Sequence, residues 1–418
     1  MRVSFKVGPP VWAIAIVSAA AVAGASNAVM AQNFDGTVRV GVQISITGAL
    51  ASLGEPGSRG IQYAADTINK KGGLDISGKH YKIELVIRDD ASSPETARAV
   101  MQQLITDDKV DVVVAGAGSN IVAGVTPIAE RYGVPTITTF AYSPKVIPPN
   151  VKYTFVNVMS TTDEFLGPID FLKANGVKKV VLAASNDDLG EGFAKQMPSF
   201  LSNGGIAVTG VERFETNTTN FAPVMQRLKA SGADAMIVEA ADPLSYQFRV
   251  AQKQYKACET FKYSVYEYGP PLQPDWVNAT KDDGVGGLGQ SFWWASQKGS
   301  PDKWFGNNID FVKAYTADTG KTANWSLAQG VQSMELMALA IEQAGKIDRD
   351  AIAQAFLALK GSTFYGPIAF DPKDHFNRGF IHSQLVIQQQ GPAVSDTKII
   401  WPLDQADAKP MPDTCGTK

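Results

Sequence analysis

The amino-acid sequence predicts an α/β protein built as two lobes joined by several chain crossings. Strand-like and helix-like segments alternate regularly, the pattern of βαβ units around a parallel sheet. The alternation runs as two series, one from residue 37 and one from about residue 160, followed by a helical return and a tail. At 418 residues the chain is also too long for one ordinary core, so two domains are the default.

At the start, Arg2 and Lys6 precede an apolar run from Val11 to Val22, and small residues lead to Val29-Met30-Ala31. A charged start, an apolar stretch and a small-residue site before Gln32 make a secretory signal peptide of residues 1–31. The run falls short of the roughly 20 residues that a membrane span needs. An uncleaved anchor is the alternative; no cysteine lies near the cut to carry a lipid. Loss of Arg2 and Lys6 moves the formal net charge from −3 to −5, and that mild acidity argues against a nucleic-acid partner. Export permits a disulfide between Cys258 and Cys415, the two cysteines of the chain, but their spacing cannot decide whether they pair.

In the first series a strand is expected over 37–46, a Gly-containing loop over 48–54 and a helix over 55–70, ended by Gly72-Gly73. A strand over 81–88 and a helix over 94–106 follow, with Pro94 suited to the first turn. The stretch 111–144 reads as half of a binding site. Val112, Val113 and Val114 are a β-branched run suited to a strand buried on both faces. The run breaks at Ala115-Gly116-Ala117-Gly118, and Ser119-Asn120 stand where a helix N-cap belongs. That helix presents Ile121, Val125, Ile128 and Ala129 at helical spacing until Gly133 stops it. A strand over 134–138 then ends in Thr139, Phe140, Tyr142 and Ser143. Two adjacent parallel strands thus deliver small and polar residues to one sheet edge, beside a helix N-terminus whose N–H groups suit a carboxylate.

In the second series a helix starts at Thr161-Thr162-Asp163-Glu164 and runs to 174. Strands over 179–184, 206–214, 235–239 and 263–266 alternate with helices over 191–203, 221–230 and 244–256. After Gly284 the pattern changes to a strand over 289–293 and helices over 301–316, 326–344 and 350–359. Residues 364–387 alternate apolar and polar as antiparallel strands do.

Six segments in order resemble one family. They are VRVGVQISITGALASLGEPGSRGIQYAADTINKKGGL, RDDASSPETA, VPTITTFAYSP, NDDLGEGFA, FETNTTNFAPVMQRLKASGADAMIV and FYGPIAFDPKDHFNRG. The chain resembles the type I periplasmic solute-binding proteins of ABC importers, in their leucine/isoleucine/valine-binding branch. The resemblance implies two Rossmann-like lobes joined by a multi-crossing hinge, with one ligand closed between them. Lobe 1 would be 37–158 with 286–366, lobe 2 would be 159–285 with 367–405, and 406–418 a C-terminal tail. It further implies a monomer that captures an amino acid, of branched-chain type or related, for an ABC permease at the inner membrane. A non-amino-acid carboxylate such as an aromatic acid, an amide, or a ligand-sensing role are the alternatives.

Competing chemistry finds little support. Gly284-x-Gly286-x-x-Gly289 has dinucleotide spacing but precedes a strand instead of opening a helix. Gly116-x-Gly118 has Ile121 in place of the third glycine, and Gly320-Lys321-Thr322 has Tyr315 in place of the upstream P-loop glycine. His80, His375 and His382 are scattered, and no Cys/His cluster suggests a metal site. No nucleophile–base pair supports an enzyme, and no cofactor is expected.

The resemblance carries over binding roles one at a time. Ser119 matches the helix-N-terminal serine that grips the ligand carboxylate, a role compatible with a plain N-cap. Phe140 and Tyr142 match positions where amino-acid binders use small residues and a threonine, which changes the size of the pocket. Glu267 matches the carboxylate that pairs with a ligand ammonium; otherwise it is a surface charge at a strand end. Leu53 and Leu189 stand where tyrosines often flank the ligand, and Asp163 matches another polar site residue or is only a helix cap. Tyr266, Tyr268, Trp293 and Trp294 form an aromatic cluster near the cleft by sequence, of the kind that is more often core.

Overall fold

The computed structural model describes residues 33–160, 163, 165–240, 243–267, 275–380, 384–413 and 415. The first series gives β1 (Gly36–Ile44), α1 (Ala51–Lys70), β2 (Leu74–Ile76), β3 (Lys79–Asp89), α2 (Pro94–Thr106), β4 (Val112–Ala117), α3 (Ser119–Tyr132), β5 (Thr136–Phe140) and β6 (Thr154–Val156). The second gives α4 (Leu166–Ala174), β7 (Lys179–Ser185), α5 (Asp188–Asn203), β8 (Ala207–Phe214), α6 (Ala222–Lys229), β9 (Ala235–Glu239), α7 (Leu244–Gln254), β10 (Tyr263–Tyr266), α8 (Asp275–Thr280) and β11 (Leu288–Ser291). The return adds α9 (Asn308–Thr319), α10 (Trp325–Ala344), α11 (Arg349–Ala358), β12 (Gly361–Ser362), β13 (Pro367–Ile368), β14 (Leu385–Gln389) and β15 (Thr397–Trp401).

One sheet has the order β2-β3-β1-β4-β5-β6, parallel except for β2. The other has the order β15-β14-β11-β10-β9-β7-β8, parallel from β11 to β8, with β14 and β15 antiparallel. Each reverses strand order once, at β1 between β3 and β4 and at β7 between β8 and β9. A reversal opens a crevice at the carboxyl ends of the strands that flank it. The binding elements therefore fall at the ends of β1 and β4 in one sheet and of β7 and β9 in the other.

Apolar residues cover both faces of each parallel sheet. In the first sheet Val38, Val40, Val42 and Ile137 pack against α1, α10 and α11, and Val113 and Ala115 against α2 and α3. Helix α1 meets α10 at backbone contact distance. A Cβ on Gly60 would lie 2.1 Å from the Leu327 carbonyl oxygen, and one on Gly330 2.2 Å from that of Gly57. Only glycine allows that approach.

Several boundaries depart from expectation. Helix α1 begins at Ala51, so the expected loop is shorter, its end closed by bonds from Leu53 and Gly54 amides to the Leu50 carbonyl. Helix α3 is capped by Gly118 at φ 89° rather than by Ser119, which is already helical. The strand after it runs on to Phe140. Helix α9 begins at Asn308 rather than 301, because Asp302 holds the preceding turn through the Trp304 and Phe305 amides while Asn307 and Asp310 form a capping box. Of the expected helix start at 161–164, only Asp163 lies within the described residues.

After β15 the tail turns back over the second lobe. Met411 exchanges bonds with the Gln388 side chain, and the Asp413 amide donates to the Lys262 carbonyl. Cys258 and Cys415 are joined in a disulfide across 157 residues, their Cα atoms 5.4 Å apart. No helix among the described residues is long and apolar enough to cross a membrane.

Candidate functional site

The loop after β1 is held by the acidic pair that ends β3. Asp89 accepts from the Ile46 amide at 2.9 Å and from the Thr47 hydroxyl at 2.6 Å. Burial opposes the Asp89 charge, yet these bonds, with the Thr47 and Ala91 amides, outweigh it and lower its pKa. Asp90, fully buried, accepts from the Ser45 hydroxyl at 2.6 Å and from Gln43, and burial raises its pKa despite those bonds. Ser92 closes the clasp, accepting from the Leu50 amide at 3.0 Å and donating to the Thr47 carbonyl at 2.7 Å. The RDDASS segment thus shapes the loop that leads to Leu53.

Ser119 is the first helical residue of α3, and Val122 is the first whose amide bonds back, to Gly118. The Ser119 hydroxyl reaches sideways instead of capping, accepting from the Tyr142 and Ser143 amides at 3.2 and 3.1 Å. Phe140 is buried in the core and meets the Trp325 ring edge-on, with centroids 5.9 Å apart. Tyr142 is partly buried, tilts against Phe292 and donates its hydroxyl to Gln329 Oε1 at 3.3 Å. The Ser119 hydroxyl therefore meets the Tyr142 backbone, while the Phe140 ring turns into the core.

At the second sheet, Glu267 follows β10 directly and is partly buried, its amide on the Val238 carbonyl at 3.2 Å. Glu239 ends β9, fully buried, one strand over; sequence reading missed it, although strand order makes its neighbourhood the switch point. Leu189 lies in the first turn of α5, after β7. Asp163 lies on a crossing, engaged by Arg378 and by the Ser160 hydroxyl at 3.1 Å. Arg378 also meets Asp374, and Gln384 donates to the Asp163 carbonyl at 2.6 Å, so two crossing segments are tied to each other there.

The aromatic cluster divides. Tyr266 is core, bonded to Gln252 and packed on Trp276, and Trp293 is buried with its Nε1 donating to Asn308. Tyr268 and His382 lie outside the described residues. A cavity of about 1080 Å³ is lined by Leu53, Trp293, Trp294 and Trp325, with Asp275, Thr397 and Lys398 on the side of the second sheet. His375 stacks on Phe155 and bonds the Thr154 carbonyl at 2.9 Å, a packing role. No group of three or more His, Cys, Asp and Glu residues among those described could hold a metal.

The sequence reading also missed Trp325, Gln329 and Asn157. Gln329 Nε2 donates to the Thr139 carbonyl at 2.5 Å and to Asn157 Oδ1 at 3.3 Å, which ties α10 to β5 and to the first crossing. The four-residue spacing of Trp325 and Gln329 was visible, but nothing in it says which element they face.

The family model described as "Periplasmic binding protein" matches residues 37–387. The leucine-, isoleucine-, valine-, threonine- and alanine-binding protein of Pseudomonas aeruginosa is 25% identical over 362 residues, covering 86% of this chain and 91% of that protein. LivJ of Streptococcus pneumoniae, solved with isoleucine, superposes with a TM-score of 0.66 at 23% identity over 88% of this chain and 100% of its own. A solute-binding protein from R. palustris, solved with 4-hydroxybenzoate, gives 0.66 at 22% identity over 90% and 96%. The two structural likenesses speak to the fold.

Proposed function

Since the chain belongs to the periplasmic binding protein family, we propose that it captures an amino acid, of branched-chain type or related, between two closing lobes for delivery to an ABC permease. The lobes are 37–158 with 286–366 and 159–285 with 367–405, although the pairing of β11 with β10 favours placing that crossing after Ser291. The observation that carries this reading is the Ser119 hydroxyl beside the α3 amides at the carboxyl end of β4. A carboxylate suits those donors. Glu267 supplies the countercharge for an ammonium, since an unpaired charge in a closed cleft is costly. Leu53 and Leu189 would flank the side chain, and the named binding of leucine, isoleucine and valine by the Pseudomonas aeruginosa relative agrees with the class.

A second reading, an aromatic acid, is favoured by the tryptophan-lined cavity beside Leu53 and by the 4-hydroxybenzoate held by the R. palustris relative. Calorimetry of leucine, phenylalanine and 4-hydroxybenzoate against the wild type and Glu267→Gln separates the two. Amino-acid binding that weakens about tenfold or more in the variant supports the first. Tight 4-hydroxybenzoate binding indifferent to Glu267, with no amino-acid signal, replaces it with the second. Mass spectrometry of the freshly purified protein under native conditions would identify any retained solute.

A further inference from the structure

Helix α10 begins at the wall of the tryptophan-lined cavity, which Asn324, Trp325 and Ser326 border. The helix is 20 residues long and carries no acidic side chain in its first turn, so nothing there neutralises the positive end of its dipole. Asn324 caps it, taking the Leu327 amide on its side chain at 2.9 Å and the Ala328 amide on its carbonyl at 3.0 Å. The Trp325 and Ser326 amides are left with no partner among the described residues.

Ser326 is an independent sign of a ligand. It is 3% exposed, and its hydroxyl makes no hydrogen bond among the described residues. A buried hydroxyl without a partner is costly. Ser326 Oγ is not sealed inside the protein either, so the space it faces is the cavity it borders.

The same cavity supplies flat apolar walls and a cation. Trp293 is fixed by its Nε1 on Asn308 and Trp325 by the Phe140 ring, so those walls are preformed. Lys398, on β15, donates to the Ser395 carbonyl at 2.8 Å and has further protons to give. Asp407 and Asp275 are the opposing charges. Asp407 is taken by the Ser296 hydroxyl, and Asp275 is exposed at the start of α8, where solvent and salt screen it. One hydroxyl, two amides and one ammonium match the single charge of a carboxylate. At about 1080 Å³ the space takes more than one ring.

We propose that the start of α10 is a carboxylate seat distinct from the one at α3: Ser326 and the first-turn amides hold the acid group of an aromatic carboxylate whose rings lie against Trp294 and Trp325. The proposal rests on the aromatic-acid reading above for the class of ligand.

The test is calorimetry of 2-naphthoate, its neutral counterpart 2-naphthamide and 4-hydroxybenzoate on the mature wild type, Ser326→Ala and Ser326→Asp. Melting temperatures check folding; an aspartate in the first turn suits a helix, so Ser326→Asp should fold. The wild type should bind both acids, and 2-naphthoate more tightly than 2-naphthamide. Ser326→Ala should weaken both acids roughly ten- to hundredfold, the scale of one hydrogen bond to a charged group. Ser326→Asp should weaken them further and spare 2-naphthamide, a split by charge that a merely structural serine would not produce. Acids that bind with the same affinity in all three proteins overturn this seat and leave the aromatic-acid reading standing. So does binding of 4-hydroxybenzoate with no 2-naphthoate signal. If neither acid binds the wild type, the reading and the seat both fail.

Discussion

The Ser119 hydroxyl accepts a hydrogen bond from the backbone amide of Tyr142 at 3.2 Å. With Ser143 as the second donor, one serine joins the start of α3 to the turn after β5, and its remaining proton is what it can give a solute. Ser119→Ala should weaken solute binding by roughly one to two decades, the scale of a charged hydrogen bond. Ser119→Asp should weaken it further by placing like charge against a carboxylate. Calorimetry of whichever solute native mass spectrometry identifies, with circular dichroism to check folding, measures both; unchanged affinity in both removes the carboxylate from this position.

The tail is anchored by a bidentate pair in which neither partner is exposed: Arg249 reaches Asp413 at 2.8 and 2.9 Å. Burial works against the Asp413 charge, and Arg249 overcomes it and lowers the Asp413 pKa. Lys253 is a poor substitute, because it makes one long contact at 3.5 Å where Arg249 makes two short ones. Arg249→Met should therefore destabilise the protein by about 3–5 kcal/mol, the cost of stranding a buried charge. Urea unfolding with and without reductant separates this from the Cys258–Cys415 bridge, whose loss should cost about 2–5 kcal/mol. A tail that serves only as a loose end predicts no change in either experiment.

Glu335 on α10 is fully buried, and burial, with Asp302 beside it, raises its pKa well above the usual glutamate range. Protonated, it can donate to the Asp302 carboxylate; ionised, its oxygens find no donor among the described residues. The folded state thus holds a proton that the unfolded chain releases. The stability this confers is complete below the unfolded glutamate pKa and is lost as pH rises through the folded one. Glu335→Gln should flatten the decline in melting temperature from mildly acidic to alkaline pH. Parallel profiles for wild type and variant would show that Glu335 is not responsible.

Export is tested at the N-terminus. If residues 1–31 are a signal peptide, the mature periplasmic protein begins at or near Gln32, as Edman degradation or intact mass would read. Met1 retained on protein from a cytoplasmic fraction contradicts this.

The alternation of strand and helix, the two series and the seat at the start of α3 were all readable from residues 37–267, because local periodicity and turn chemistry set them. Val112–Val114 read as a strand and the stretch after Ser119 as a helix, although β4 runs on through Ala115-Gly116-Ala117 and breaks only at Gly118. Ser119, Phe140 and Tyr142 were identified together because they end adjacent parallel strands. What they touch was not readable. Gln329 lies 187 residues beyond Tyr142 and Asp413 lies 164 beyond Arg249, and no local pattern encodes such partners. The disulfide was open for the same reason: two cysteines have only one way to pair with each other, but their spacing does not bring them together. By itself the sequence determined the long helices and the central strands of the two series and their order, since each depends on neighbours a few residues away, but not the short β2, β6, α8 and β15. Tertiary structure alone decided which buried polar groups face each other, because an unsatisfied polar group is costly and its partner is chosen by the packing of the whole lobe.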